Sequence, residues 1–296
     1  MYTKALVIAV SYTGTENALR GCDTDGERIY AYLQRCSPQC EIRVLCDDHG
    51  LSMPIYGVPT DKEILAQIDW LVQGATPASH LWISYSGHGG LHSAAGNRCF
   101  MPTPRAHMSV PHRISAPIPA HAVVIAPVVA PTLVAEDAET ILGCDFQRYG
   151  DIDDVALRRR LVDALPDGAT LTAFFDSCHS GTVLNLRHEW VDGDAKSDTA
   201  SCIGKAVSKH GESKAHVLLV SGCRDNQTSA DAFIDNHYCG ATTTSFLACL
   251  AALDTLDTLE KFLHGMNRWM VDNNFAQRPE MSLGRQDSDI RMFLSK

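Results

Sequence analysis

Residues Lys4–Val10 form a short apolar run rich in Val and Ile, the pattern of a parallel strand buried on both faces. Asp23–Cys36 follows with Ile29, Tyr32 and Leu33 at helical spacing, and Glu41–Cys46 alternates apolar and polar positions as a strand does. Thr60, with Glu63 three residues later, forms a capping box that opens a helix carrying Ile64, Leu65, Ile68 and Leu71 on one face. A strand is expected over His80–Tyr85, running into Ser86-Gly87-His88-Gly89-Gly90. Further on, Asp153–Leu165 reads as a helix and Thr170–Phe175 as a strand running into Asp176-Ser177-Cys178-His179-Ser180-Gly181. His216–Val220 is another strand, Thr243–Leu253 and Leu256–Val271 are helices, and Ile290–Leu294 is expected as a short closing strand.

Strands alternating with helices imply an α/β fold, a mainly parallel sheet with helices on both faces. Right-handed crossovers then bring the carboxyl ends of the strands to one edge, where ligand crevices form in open α/β sheets. Two segments interrupt the rhythm. Residues 96–135, rich in Pro, Ala, Val and His without a clear period, read as an inserted loop. Residues 187–214, polar and Lys- and Ser-containing, read as an exposed, flexible linker. There is no internal repeat.

Composition narrows the function classes. The 296 residues are 45% hydrophobic and 20% charged, ordinary for a globular chain that forms one structural unit. The formal net charge of −10 and the lack of a Lys/Arg-rich run argue against nucleic acid as a partner. No stretch is long and apolar enough to span a bilayer, and no secretory signal precedes the first strand, so a cytoplasmic protein without a membrane partner is expected. Eleven cysteines without regular spacing fit reduced thiols, at least one of them a candidate for reactivity.

The chemistry gathers at two strand ends. If the strands ending near His88 and Cys178 are neighbours, an imidazole stands beside a thiol and can raise its thiolate fraction. Flanking glycines let backbone approach a bound peptide, and the amides of Gly89 and Cys178 are the candidate oxyanion hole. His179 is a poorer base than His88, because adjacent strand residues point to opposite faces. Asp176 lies two residues before Cys178 and shares its face on an extended strand, and Asp25 is placed to converge on the same pocket. Paired carboxylates in a recess favour a guanidinium or ammonium and reject an acidic side chain. The alternative is that Asp25 caps its own helix and Asp176 only fixes a turn.

Tyr85-Ser-Gly-His-Gly89 and Asp176-Ser-Cys-His-Ser-Gly-Thr182 resemble the His and Cys motifs of metacaspases. Further matches are Gly21–Asp25, Thr140–Asp145, Asp153-Asp154 and Ser221–Asp231; only the insert and the linker lack a counterpart. The resemblance implies a caspase-like fold, with a p20-like catalytic portion over residues 1–186, the linker 187–214 and a p10-like portion over 215–296. It is to the type I members, without a prodomain before the first strand. It implies a cysteine endopeptidase with Cys178 as nucleophile and His88 as base and then acid, acting on proteins or peptides with Arg or Lys at the cleavage site. Asp25, Asp176, Cys22 and Ser86 match the positions lining the pocket for that side chain. Many metacaspases need Ca²⁺ held by acidic residues. Asp153 and Asp154 match two ligands, whereas Ala138, with Glu136 and Asp137 beside it, and Asn185 fall where two more are expected, so ligand charge is lost unless the insert supplies oxygens. As an alternative, Asp153 and Asp154 only begin a helix. An enzyme of this specificity has Lys196, Lys205, Lys209 and Lys214 as candidates for self-cleavage. The resemblance also implies a monomer. Three readings compete: a catalytically silent caspase-like scaffold, a thiol redox or metal-binding protein, for which no Cys-x-x-Cys spacing is present, and a different specificity within the same peptidase clan.

Overall fold

The first strand, β1 (Lys4–Ala9), sends alternate side chains into two separate cores. Ala5, Val7 and Ala9 join one apolar cluster, and Leu6 and Ile8, with Val10 beyond the strand, join the other. A continuous apolar run has this outcome when both faces of a sheet are covered.

The structure, a computed structural model, describes residues 1–48, 51–92, 98–99, 138–177, 180–197, 200, 202–206, 208, 210–222, 231–234, 237–286 and 289–294. After β1 come α1 (Cys22–Cys36), β2 (Glu41–Cys46), α2 (Asp61–Val72), β3 (His80–Ser86), β4 (Gly89–His92), β5 (Arg98–Cys99) and β6 (Ala138–Ile141). Then follow α3 (Phe146–Tyr149), β7 (Ile152–Asp153), α4 (Asp154–Leu161), β8 (Thr170–Asp176), β9 (His188–Asp192) and β10 (Cys202–Ala206). The remainder is β11 (His216–Ser221), β12 (Asp231–Ile234), β13 (His237–Gly240), α5 (Ala241–Ala251), α6 (Leu259–Asp272) and β14 (Glu280–Leu283).

Eight strands make the central sheet in the order β10-β9-β14-β11-β8-β3-β1-β2. The five from β11 to β2 are parallel, and β14, β9 and β10 extend them antiparallel. Ile29, Tyr32 and Leu33 of α1, Phe246 of α5 and Phe262 and Met266 of α6 cover one face. Ile64, Ile68 and Leu71 of α2 and Leu157 and Leu161 of α4 cover the other. The Thr60 hydroxyl accepts from the Glu63 amide at 3.2 Å, the N-cap expected for α2. A small sheet, β5-β4-β6-β7, and the hairpin β12-β13 stand beside the main one.

Two expectations change. The closing segment is a 3-10 turn over Ile290–Met292 rather than a strand. Ile290, Phe293 and Leu294 recur at helical spacing, and all three are buried against the same cluster. The last strand is instead β14, whose four residues are too few to display a period. The segment 187–214 carries β9 and β10, which pair with each other from Cys202 opposite Asp192 to Ala206 opposite His188. Apart from β5, the insert 96–135 lies outside the described residues. No helix among the described residues is long and apolar enough to cross a membrane.

Candidate active site

β3 and β8 are adjacent and parallel, with Ser86 in register with Asp176 at their carboxyl ends. In the sequence His88 and Cys178 each follow that pair by two residues. Cys178 itself and His179 lie outside the described residues. On the near side of the gap Ser177 is buried, and on the far side the Ser180 hydroxyl donates to the Ser177 carbonyl at 2.9 Å.

His88 is only 5% exposed. Its Nε2 is 2.8 Å from the carbonyl oxygen of Asn17, which can only accept. Nε2 therefore carries the proton, and Nδ1 is the nitrogen with basic capacity. Burial lowers the pKa of the imidazole, and the bond to Asn17 opposes that shift. The backbone of His88 is fixed just as firmly. Its N–H donates to the Tyr12 hydroxyl at 3.0 Å, and its carbonyl accepts from the Tyr85 hydroxyl at 2.6 Å. The two hydroxyls are 3.1 Å apart; that of Tyr12 donates to the Leu142 carbonyl at 2.8 Å, and that of Tyr85 accepts from the Leu142 amide at 3.1 Å. The Tyr12 ring also lies against the imidazole, with centroids 4.7 Å apart. Gly87 makes room for this arrangement, since a Cβ there would stand 2.6 Å from the Tyr85 oxygen. Gly89 opens β4 opposite Ile141, close behind the base.

The acidic residues converge. Asp25, in the first turn of α1, is 2% exposed, and Asp176, at the tip of β8, is 6% exposed. Asp25 does not cap α1; both its oxygens accept from the amide of Gly240, at 3.0 and 2.9 Å. Asp176 Oδ2 accepts from the Thr243 amide and hydroxyl, each at 2.9 Å. The pair thus grips the N-terminus of α5, where unpaired amides and the helix dipole favour negative charge. Cys22 is buried at the start of the same helix as Asp25, and Ser86 is buried in register with Asp176.

The residues matched to calcium ligands are otherwise engaged. Asp153 is the N-cap of α4, accepting from the Ala156 amide at 2.7 Å. Asp154 bonds with the Asn185 side chain, and burial raises its pKa. One of its oxygens, Oδ1, is buried without a hydrogen-bond partner among the described residues, a single donor where calcium wants six to eight. Ala138 offers no side-chain oxygen. The buried Arg158 guanidinium donates to the Asn185 carbonyl and lies 3.4 Å from an Asp163 oxygen, so a fixed cation is already beside this loop. Among the described residues no group of three or more His, Cys, Asp or Glu is placed to hold a metal ion. These residues do not fit a calcium shell.

The four lysines differ. Lys196 is exposed in the turn between β9 and β10. Lys205 lies within β10, paired with Glu189. Lys214 is exposed, but its neighbours Ser213 and Ala215 are buried and its carbonyl accepts from Arg285 at 3.0 Å. Lys209 lies outside the described residues.

Tyr12, Asn17, Gly240 and Thr243 are site residues without a local motif. Asn17 acts through its backbone carbonyl, which any residue possesses. Gly240 and Thr243 meet Asp25 and Asp176 only through tertiary packing.

Comparison with known proteins identifies the family. A caspase domain model matches residues 3–289. Metacaspase-1 of Scheffersomyces stipitis is 30% identical over 336 residues, spanning 98% of this chain and 73% of that protein. Metacaspase-1 of Candida glabrata is 29% identical over 322 residues, spanning 94% and 72% respectively. Among solved structures, a protein of Geobacter sulfurreducens superposes with a TM-score of 0.59 at 20% identity, covering 100% of this chain and 98% of that one, which is a likeness of fold. Matched by that model along nearly its whole length, the chain belongs to the caspase-domain family as a metacaspase, a cysteine-type peptidase.

Proposed function

We propose that the protein is an endopeptidase that cleaves after Arg or Lys through a Cys178–His88 dyad. The observation that supports the reading is the register of Ser86 with Asp176, each two residues before a dyad position in the sequence, together with the burial of Asp25, Asp176 and His88. His88 Nδ1 takes the proton of the Cys178 thiol, and the thiolate attacks the carbonyl carbon of the scissile bond. Amides of Gly89 and Cys178 receive the oxyanion. The imidazolium then gives its proton to the leaving amine, and water attacking the thioester, with His88 again as base, releases the acid. Asp25 and Asp176, with Cys22 and Ser86 alongside, receive the guanidinium or ammonium of the substrate. Buried carboxylates favour such a cation strongly over a neutral or acidic side chain.

The reading extends to self-cleavage at Lys196. Exposed turns are the preferred sites of nicking, whereas a ladder strand must first be peeled from its partner. The Ser197 carbonyl accepts from Arg268 at 3.0 Å and is 3.2 Å from His264 Nε2, so the new end stays tied to α6. A monomer is the favoured state. The backbone of Tyr56 and Gly57 already bonds to Val44 and Cys46 along the β2 edge of the sheet.

Fluorogenic peptides ending in Arg, Lys, Asp or Asn, incubated with the protein and with its Cys178→Ala variant, test the proposal. Cleavage of the Arg and Lys peptides by the wild type alone is expected. Inert wild type toward all four would instead favour the silent scaffold, and equal activity of the variant would remove Cys178 from the nucleophile role.

A further inference from the structure

Gly240 carries no conformational reason to be glycine. Its φ of −68° and ψ of 133° are open to any residue. This contrasts with Gly14, whose φ of +80° is the left-handed region and around which a Cβ would meet nothing within 4 Å. The constraint at Gly240 is spatial. A Cβ there would overlap Asp176 Oδ2, stand 2.7 Å from Asp25 Oδ2 and 2.9 Å from Asp176 Cγ. The missing side chain is therefore aimed between the two carboxyl groups. Three residues on, Thr243 places two donors on the same Asp176 oxygen and so fixes the plane of that carboxyl. These contacts span 215 residues for Asp25 with Gly240 and 67 for Asp176 with Thr243.

We infer that Gly240 and Thr243 determine specificity in the acidic pocket: Gly240 sets its depth, and Thr243 is a positioning residue that orients Asp176 toward the substrate's basic side chain. The inference rests on the Arg/Lys reading above. A methyl group at 240 displaces both carboxyl groups from their point of convergence. Loss of the 243 hydroxyl leaves the amide donor but frees the carboxyl to turn about it. The consequence falls on binding of the basic side chain rather than on the sulfur chemistry, because both residues act on the carboxyl groups, whereas His88 is held by Tyr12, Asn17 and Tyr85.

Steady-state kinetics on Arg and Lys peptides with the wild type, Thr243→Val, Thr243→Ser and Gly240→Ala test this. The alkylation rate of Cys178 by iodoacetamide, a small uncharged reagent, is measured beside each. Thr243→Val is expected to raise KM about tenfold with kcat nearly kept, the effect of one charge-assisted hydrogen bond. Thr243→Ser, which keeps the hydroxyl, is expected to restore KM. Gly240→Ala is expected to lower kcat/KM by more than Thr243→Val does while Cys178 alkylates at the wild-type rate. If Gly240→Ala fails to fold, the Thr243 pair decides. Wild-type KM in Thr243→Val, or equal effects of Val and Ser, would overturn the inference. A wild type that alkylates but cleaves no Arg or Lys peptide would sink the Arg/Lys reading instead, a distinct result.

Discussion

The imidazole of His88 is held by the main-chain carbonyl of Asn17, 2.8 Å from Nε2. A neutral acceptor fixes the tautomer and leaves Nδ1 as the base, yet stabilises the protonated ring less than an aspartate would. Together with burial, this makes the base easy to keep neutral.

The pH dependence follows from that environment. The His88 pKa is lowered from 6.5, first by burial. The active, neutral imidazole therefore persists to lower pH than an exposed histidine allows. The acid limb of kcat/KM should fall below pH 6.5, not at or above it. The stability term has the matching sign: below 6.5 the unfolded chain binds this proton more readily than the folded one, so the term is lost as pH falls. A pH–rate profile on an Arg peptide measures the limb, and a midpoint above 6.5 would contradict the assigned base.

His88→Ala should fold with a melting temperature near that of the wild type and lose roughly a hundred- to ten-thousandfold in kcat, the usual contribution of a positioned acid–base group. Stopped-assay kinetics beside circular dichroism separate the two effects. A well-folded His88→Ala protein within a few-fold of wild-type activity would return His179 to consideration.

Tyr12 supports the base from outside any motif. Its φ of +51° is the left-handed region, uncommon for an aromatic residue, and it turns the hydroxyl to meet the His88 amide at 3.0 Å. Tyr12→Phe strips a buried N–H of its acceptor and should cost about 1–3 kcal/mol of stability. Denaturant unfolding measures that cost. Because the amide left without its acceptor is that of His88, kcat should also fall, while KM for Arg peptides should stay near wild type.

Much of this was legible because burial on both faces writes long apolar runs. β1, β3, β8 and β11 each match an expected strand to within about one residue at either end. β9 and β10 escaped notice because each has only five residues of mixed polar and apolar character within a polar segment, and β14 because four residues show no period. At the site, Asp25 and Asp176 were legible as residue types, but their roles at the N-terminus of α5 were not. Local reasoning assigns a carboxylate in a first helical turn to its own helix. Asp25 bonds instead to an amide 215 residues away, which only the folded chain brings near.

Self-cleavage, if it follows local structure, should depend on one lysine. Lys196→Gln should leave the chain intact on denaturing gels under conditions that nick the wild type, while Lys205→Gln and Lys214→Gln are still cut. Mass spectrometry of the wild-type fragments should locate the break between Lys196 and Ser197. The two pieces should co-elute in gel filtration, since β9 pairs with β14 as well as β10, and Ser197 is bonded to α6. Nicking that persists in Lys196→Gln at a neighbouring lysine would show that exposure of the turn does not select the site.

Calcium offers the last test, because the chemistry of the loop argues against it. A calcium shell needs several oxygens at 2.3–2.6 Å and a net negative environment. Here Asp153 is committed to the Ala156 amide, Asp154 bonds with Asn185, and the Arg158 guanidinium donates to the Asn185 carbonyl. Any calcium brought in would lie beside that fixed positive charge, and its binding would be weakened accordingly. Thermal unfolding in millimolar calcium and in chelator should therefore give the same midpoint, and peptide cleavage should proceed equally in both. A calcium-dependent rise in the midpoint that Asp154→Asn abolishes would place the ion at this loop after all. In that case Asp154 Oδ1, the buried oxygen without a hydrogen-bond partner among the described residues, would be the ligand to examine first.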